Sequence, residues 1–223
     1  MISRLGLLRR KADLTDTDFA AHWRDAGPSL ATRLPGLHGY LQHRVTDPGP
    51  RGAWNIDGIS ELQFSDADTM RAAVASDAFT AVTTTTAQFL DRFDIVVCEK
   101  HPAIPLAAGA GPMVKRMSIL RRRPEVSAEE FRREWLGRHA ELVRTWPNLL
   151  GYTQNLVIAR HSAGVNDASH DDIPVDGVVE LWFRSKEDAA AVLTTAAFAR
   201  TKEHTDTIVA GVAPYFVETT QVA

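Results

Sequence analysis

The chain of 223 residues carries a formal net charge of −3 at pH 7, with 44% hydrophobic and 24% charged residues, an ordinary soluble globular composition. It has no basic footprint for nucleic acid, and no apolar run long enough for a membrane span or shaped like a secretion signal. Cys98 is the single cysteine and has no internal partner, so it reads as a small buried hydrophobe of a cytoplasmic protein.

A first strand is predicted over 4–9, followed by a helix capped by Thr15 with Asp18 three residues on. Phe19, Trp23, Ala26 and Leu30 share one face of that helix, which stops at Pro35 with Gly36 supplying the turn. Strands over 40–45 and 59–64 come next. A second helix starts at Asp66 after the cap pair Ser65 and Asp68, and a last strand covers 94–99. The Pro-, Gly- and Ala-rich stretch 101–113 reads as a linker. The order then repeats: a strand over 116–121, a helix capped by Ser127 and Glu130, and a stripe of Phe131, Trp135, Leu142 and Trp146. Pro147 and Asn148 end it, strands follow over 152–158 and 178–183, Ser185 and Asp188 cap a helix from Lys186, and 215–219 is the last strand.

The order repeats because the residues repeat. Phe19, Trp23, Pro35, Gly39, Tyr40 and Gln42 return 112 positions later as Phe131, Trp135, Pro147, Gly151, Tyr152 and Gln154. Asp57-Gly58, Glu61, Leu62, Phe64, Phe79 and Glu99 return 119 positions later as Asp176-Gly177, Glu180, Leu181, Phe183, Phe198 and Glu218. The offset grows because the second half has a longer loop, 155–175 against 43–56. Each half has a βαββαβ order, which points to a ferredoxin-like unit whose sheet leaves one face bare. Two such units in one chain can bury those faces against each other. The expected fold is therefore α+β: tandem ferredoxin-like repeats, 1–100 and 114–223, closing into an intramolecular dimeric α+β barrel with helices outside. Outer helices leave room for a further homodimer.

Three motifs carry a resemblance: Phe131-x3-Trp135-x3-His139, Trp146-Pro147-x3-Gly151-Tyr152-x-Gln154, and Asp176-Gly177-x2-Glu180-Leu181-Trp182-Phe183. Together they resemble the EthD family of the dimeric α+β barrel superfamily, over nearly the whole chain. The first half matches as well, but has Gly27 where the family pattern has histidine. The superfamily holds lactone isomerases, polyketide cyclases, anthrone-type monooxygenases and haem-dependent enzymes, so the fold alone does not fix an activity. The resemblance implies a cavity between sheet and helices where the helix histidine and the strand tyrosine meet a small cyclic or aromatic substrate.

His139 leads the candidates for chemistry, since it shares the inward stripe with Phe131 and Trp135 and an imidazole there suits proton transfer. Its absence at Gly27 argues against a purely structural need. Tyr152 can donate to a substrate oxygen, and the mid-strand Glu180 can serve as orienting group or second acid/base, or can pair with strand arginines such as Arg116. Trp135, Asn155, Trp182 and His204 are candidate substrate contacts. Gly27, Gln63 and Thr85 stand where the second half has His139, Trp182 and His204. A single working site is therefore expected in the second half. The His/Asp segment 161–172 lacks metal-ligand spacing and reads as a solvated, mobile lid over the cavity rather than a metal site. Neither haem nor an organic cofactor is expected. The expected function is a cofactor-independent acid/base enzyme acting as isomerase, cyclase/dehydratase or monooxygenase on a lactone- or polyketide-like metabolite. The alternative is a non-catalytic ligand-binding or stress-associated accessory protein.

Overall fold

The computed structural model describes residues 1–31, 33–48, 54–107, 109, 111–162 and 166–223; the side chains of Ala26, Gly27 and Leu30, part of the predicted linker, and loop residues 49–53 and 163–165 lie outside that description. In chain order the first half contains β1 (Ile2–Arg10), α1 (Asp16–Ala31), β2 (Gly39–Pro48), β3 (Gly58–Phe64), α2 (Ala67–Val74), α3 (Asp77–Thr86) and β4 (Leu90–Ile104). The second contains β5 (Val114–Arg122), α4 (Ala128–Glu134), a π-helical turn (Trp135–His139) and α5 (Ala140–Val143). It continues with β6 (Gly151–Ser162), the short β7 (Asn166–Asp167), β8 (Gly177–Phe183), α6 (Lys186–Val192), α7 (Ala196–Ile208) and β9 (Val209–Gln221).

The strands run antiparallel in the order β4-β1-β3-β2-β9-β5-β8-β6, and a β4–β6 pairing closes the ring, with β7 added to β6. Two ferredoxin-like units thus form one barrel, each supplying one side of each seam. The sequence repeat is also a repeat of register. Glu61 sits between Leu5 and Leu41, and Glu180 between Met117 and Thr153. At the seams His43 faces Thr219 and Lys100 faces Asn155, which are equivalent pairs.

Alternation along each strand sends one residue inward and the next toward the helices. Leu5, Leu7, Ile59, Val96, Met117, Ile119 and Val178 fill the barrel. Trp54 and Ile56, and their equivalents Ile173 and Val175, pack against that same core. The longer loop of the second half therefore helps fill the barrel. None of its described residues lines the cavity described below, which corrects the expectation of a lid.

Three of the four predicted caps form: Asp18 donates its amide to Thr15, Glu130 to Ser127 and Asp188 to Ser185. In the fourth the capping side chain is Asp66 rather than Ser65, whose hydroxyl donates to Asp66 instead. Gly36 and Asn148 adopt positive φ, +69° and +60°, as the stops after Pro35 and Pro147 require. The second helix of each unit is broken in two, because Ser76 and Thr195 cap new helices through the amides of Phe79 and Phe198. The last strands are longer than predicted at both ends: their leading residues pair with the first strand of their own unit, and their trailing residues pair across the seams, so β4 runs to Ile104, into the predicted linker.

The repeated residues now have physical reasons. An added Cβ on Gly58 would lie 2.4 Å from the Trp23 ring, and one on Gly177 2.5 Å from Trp135, so glycine lets each indole lie on the sheet. Gln42 donates to the Trp23 carbonyl at 2.9 Å, and Gln154 to that of Trp135 at 2.6 Å. Asp57 and Asp176 accept the backbone amides of Arg10 and Arg122, tying the end of each unit's first strand to the start of its third.

Candidate active site

Phe131 and Trp135 bring their rings to 5.2 Å on the inner face of α4 and the π-helical turn, both fully buried. Each side chain contributes about 1.5–3 kcal/mol by leaving water, so the helix is firmly seated over β6 and β8. The extra residue of a π turn shifts the side chains that follow it, a device often found at functional sites. Here the turn spans Trp135–His139 and leaves both end residues lining a cavity of about 270 Å³.

Tyr152, Val179 and Leu181 form part of the cavity's floor, from the helix-facing side of β6 and β8. Arg116, Ser118 and Leu120 of β5 continue the lining, and Val143, Trp146, Phe198, Thr201, Lys202, Thr205 and Asp206 close over it. Most of the wall is apolar. Against it stand three residues with a buried polar atom that has no partner among the described residues: Trp135 Nε1, His139 Nδ1 and the Tyr152 hydroxyl. Buried polar atoms in native proteins almost always have partners. Three residues that line this one cavity carry unpartnered ones.

Burial, and next the proximity of His204, lowers the His139 pKa from 6.5 to about 4, so near pH 7 the imidazole is neutral, with its lone pair free, and a weaker base than a solvated one. Burial raises the Tyr152 pKa, which keeps the phenol protonated as a donor. The equivalent Tyr40 differs: its hydroxyl accepts a bond from Gln42 at 3.0 Å. The same residue is thus satisfied in one half and left open in the other.

His204 does not line the cavity. Its ring lies behind that of His139, with centroids 5.8 Å apart, and its Nε2 is 3.4 Å from a Glu134 carboxylate oxygen. Glu134 has a side chain 29% exposed and opens on a separate cleft on the outer face of α4 and α7.

Glu180, Asn155 and Trp182 are separated from His139. They have the opposite strand parity to Tyr152 and Leu181, and so point into the barrel. There Glu180 pairs with Lys115 at 2.6 Å and Lys100 at 3.2 Å, Asn155 donates to Glu180 at 2.8 Å, and Lys115 lies over the Trp182 ring. Glu61 joins the same cluster through Lys100 at 2.6 Å, His43 at 3.1 Å and Ser3 at 2.9 Å. The carboxylates thus pair with lysines, not with Arg4 and Arg116, whose side chains lie on the helix side.

The His/Asp segment is engaged in local pairs: His161 with Asp167, His170 with Asp176, and Ser169 with Asp172. No helix among the described residues is long and apolar enough to cross a membrane. Sequence reasoning missed Glu134 and the cavity-lining roles of Arg116, Thr201 and Phe198. Phe198 and Arg116 were visible as repeated residues, but repetition marked them as scaffold.

A family model described as EthD domain matches residues 11–92 and 123–212, one match in each unit. The chain belongs to the EthD family. Among solved structures, an anthrone oxidase-like protein superposes on this EthD chain with a TM-score of 0.68 at 12% identity, covering 100% of this chain and 93% of that one. A proposed monooxygenase from Fusobacterium nucleatum subsp. nucleatum gives 0.61 at 10% identity, over 99% and 93% of the two chains. Another from Lactobacillus acidophilus NCFM gives 0.57 at 14% identity, over 99% and 94%. What these likenesses share with the EthD protein is the α+β barrel fold. Among curated proteins none matches the chain by sequence.

Proposed function

We propose that this EthD protein is an enzyme that moves a proton on a small cyclic or aromatic substrate held in the second-half cavity. The observation that carries this reading is that His139, Tyr152 and Trp135, each with a buried polar atom that has no partner among the described residues, line one apolar-walled space. His139, neutral at pH 7, is the general base for an acidic C–H or O–H. Tyr152 and Trp135 donate hydrogen bonds to the substrate oxygen on which negative charge develops. His204 and Glu134 stand between His139 and the outer cleft, a path along which the abstracted proton can exchange with solvent.

Loss of a proton next to a carbonyl leaves an enolate, the shared first intermediate of isomerisation, dehydration and oxygenation of an electron-rich ring. The oxygenase branch is the chemistry named for the fold neighbours, and it would need dioxygen as co-reactant. The cavity's volume of about 270 Å³ lies just below the usual range for drug-sized ligands, which supports a small substrate, and no step is routed through a cofactor. Cys98, free and buried, is at home in the cytoplasm, where we place the enzyme.

Proton abstraction can be read directly as exchange of substrate C–H for deuterium in D2O, followed by NMR across a panel of lactones, cyclic ketones and anthrone. Wild-type protein should catalyse exchange on at least one member, and His139→Gln should lose it by a factor of roughly 100 or more, the scale of general base catalysis. Exchange that survives in His139→Gln removes the base. Binding without any exchange makes the protein a ligand-binding module instead.

A further inference from the structure

The charges around the cavity are Arg116, Lys202 and Asp206, with His139 neutral. Lys202 and Asp206 pair with each other at 2.5 Å on the exposed face of α7. Arg116 has no hydrogen bond, ion pair or ring contact among the described residues. It is also half-buried. It borders a second cleft as well, beside Asp47 and Lys186, which pair with each other, so the half-buried guanidinium is left with no anion of its own among the described residues and is open to one from a ligand.

The repeat supplies an internal control. Arg4, the equivalent of Arg116, is buried with its guanidinium 4.6 Å over the Phe79 ring. In the second half Arg116 and Phe198, the equivalent pair, both line the cavity. The same two residues pack together in one unit and stand open to a space in the other.

Their position fixes what they can hold. Arg116 on β5 faces Leu181 on β8, and Leu181 faces Tyr152 on β6. The three lie in one row on the helix-facing side, and neighbouring strands are about 4.8 Å apart. A flat molecule lying across Leu181 therefore has a guanidinium at one end and the Tyr152 hydroxyl at the other. The guanidinium fork matches the two oxygens of a carboxylate.

We infer that the ligand of this cavity is a small ring-bearing carboxylic acid, its carboxylate held by Arg116 and its second oxygen by Tyr152. The inference rests on the cavity being the working site, and binding tests it whether or not chemistry follows. The probes are 1-naphthoate, its neutral amide 1-naphthamide, and 1-naphthyl phosphate, followed through the fluorescence of Trp135 and Trp146, which line the cavity. Wild-type protein should bind the acid at least about tenfold tighter than the amide, a difference of about 1.4 kcal/mol. Arg116→Met should erase that preference while leaving amide affinity unchanged, which also shows that the variant is folded. Val212→Trp, at the exposed rim, should weaken acid and amide alike.

Equal affinity for acid and amide in the wild type, no binding of the acid, or a preference that persists in Arg116→Met each overturns the inference. So does binding unaffected by Val212→Trp, which puts the probe outside the cavity. Tighter binding of the phosphate than of the carboxylate overturns the carboxylate assignment. If the Arg116-dependent preference holds but no substrate exchanges deuterium, the acid site stands and the proton-transfer reading falls; exchange without the preference gives the reverse.

Discussion

Tyr152 and Tyr40 are one residue in two environments, and the difference can be measured. The Tyr40 hydroxyl accepts from Gln42, whereas the Tyr152 hydroxyl is buried without a partner. Removing a hydroxyl that makes a buried bond costs about 1 kcal/mol, while removing an unsatisfied one is neutral or stabilising. Tyr40→Phe should therefore lower the urea midpoint, and Tyr152→Phe should leave it unchanged or raise it while slowing deuterium exchange. Equal destabilisation by both changes would mean that Tyr152 is scaffold. At this scale the sequence was informative where the halves disagree: Gly27 against His139 pointed to the half whose helix histidine lines the cavity. It misled where they agree. Arg116 was hidden because Arg4 matches it, and Glu180 was grouped with His139 because strand parity was not carried from Tyr152 to its neighbours. Glu134 has no linear signal, since His204 reaches it only through the packing of α7 on α4.

The helix over the cavity depends on a glycine in the strand beneath it. Gly177 admits the ring of Trp135, which opens the turn that His139, the proposed base, closes, and Gly58 does the same for Trp23. Both indoles are buried and cannot move aside freely, so a methyl at either glycine forces repacking at about 1–3 kcal/mol. Gly58→Ala and Gly177→Ala should lower stability by similar amounts, seen in denaturant midpoints. Only Gly177→Ala should also weaken binding of 1-naphthoate, because only that indole lines the cavity. A binding loss shared by both would place the effect in the barrel as a whole. The strands and first helices were legible from period, caps and stops, yet the π-helical turn was not. Residues 131–139 read as an unbroken helix, and the turn shows only once Trp135 is seated on Gly177 and its carbonyl is bonded by Gln154. The second helices read as single because Ser76 and Thr195 lie inside stretches of otherwise helix-compatible residues; their match across the repeat, each three before a phenylalanine, was the available sign.

The barrel holds its two units together partly through charge. Lys100 bonds Glu61 of its own unit at 2.6 Å and Glu180 of the other at 3.2 Å. Burial opposes the charge on both carboxylates, but His43, Lys100 and Lys115 at Glu61, and Lys115 and Lys100 at Glu180, outweigh it and hold both below the ordinary value of 4.5. Burial likewise opposes the charge on Lys100, and Glu180 and Glu61 together lift it above its ordinary 10.5. The signs set a window. Depressed carboxylates stabilise the fold above their unfolded pKa and lose that contribution as pH falls through their folded values; the raised lysine stabilises below its unfolded pKa and loses it as pH rises through its folded value. Taken alone these three groups leave stability flat between about pH 5 and pH 10. His43, His139 and His161, all lowered by burial, make it fall already below about pH 7, because the unfolded chain takes up their protons first, and buried Cys98 makes it fall above about pH 9. Lys100→Met leaves two buried carboxylates short of a counter-charge, a change that costs about 3–5 kcal/mol. Urea unfolding at pH 7 should show that loss, and the acid-unfolding midpoint should move to higher pH because Glu61 and Glu180 then protonate more readily. An unchanged acid midpoint would assign the joining of the halves to the β2–β9 and β4–β6 ladders and the shared apolar core, with the charges as passengers.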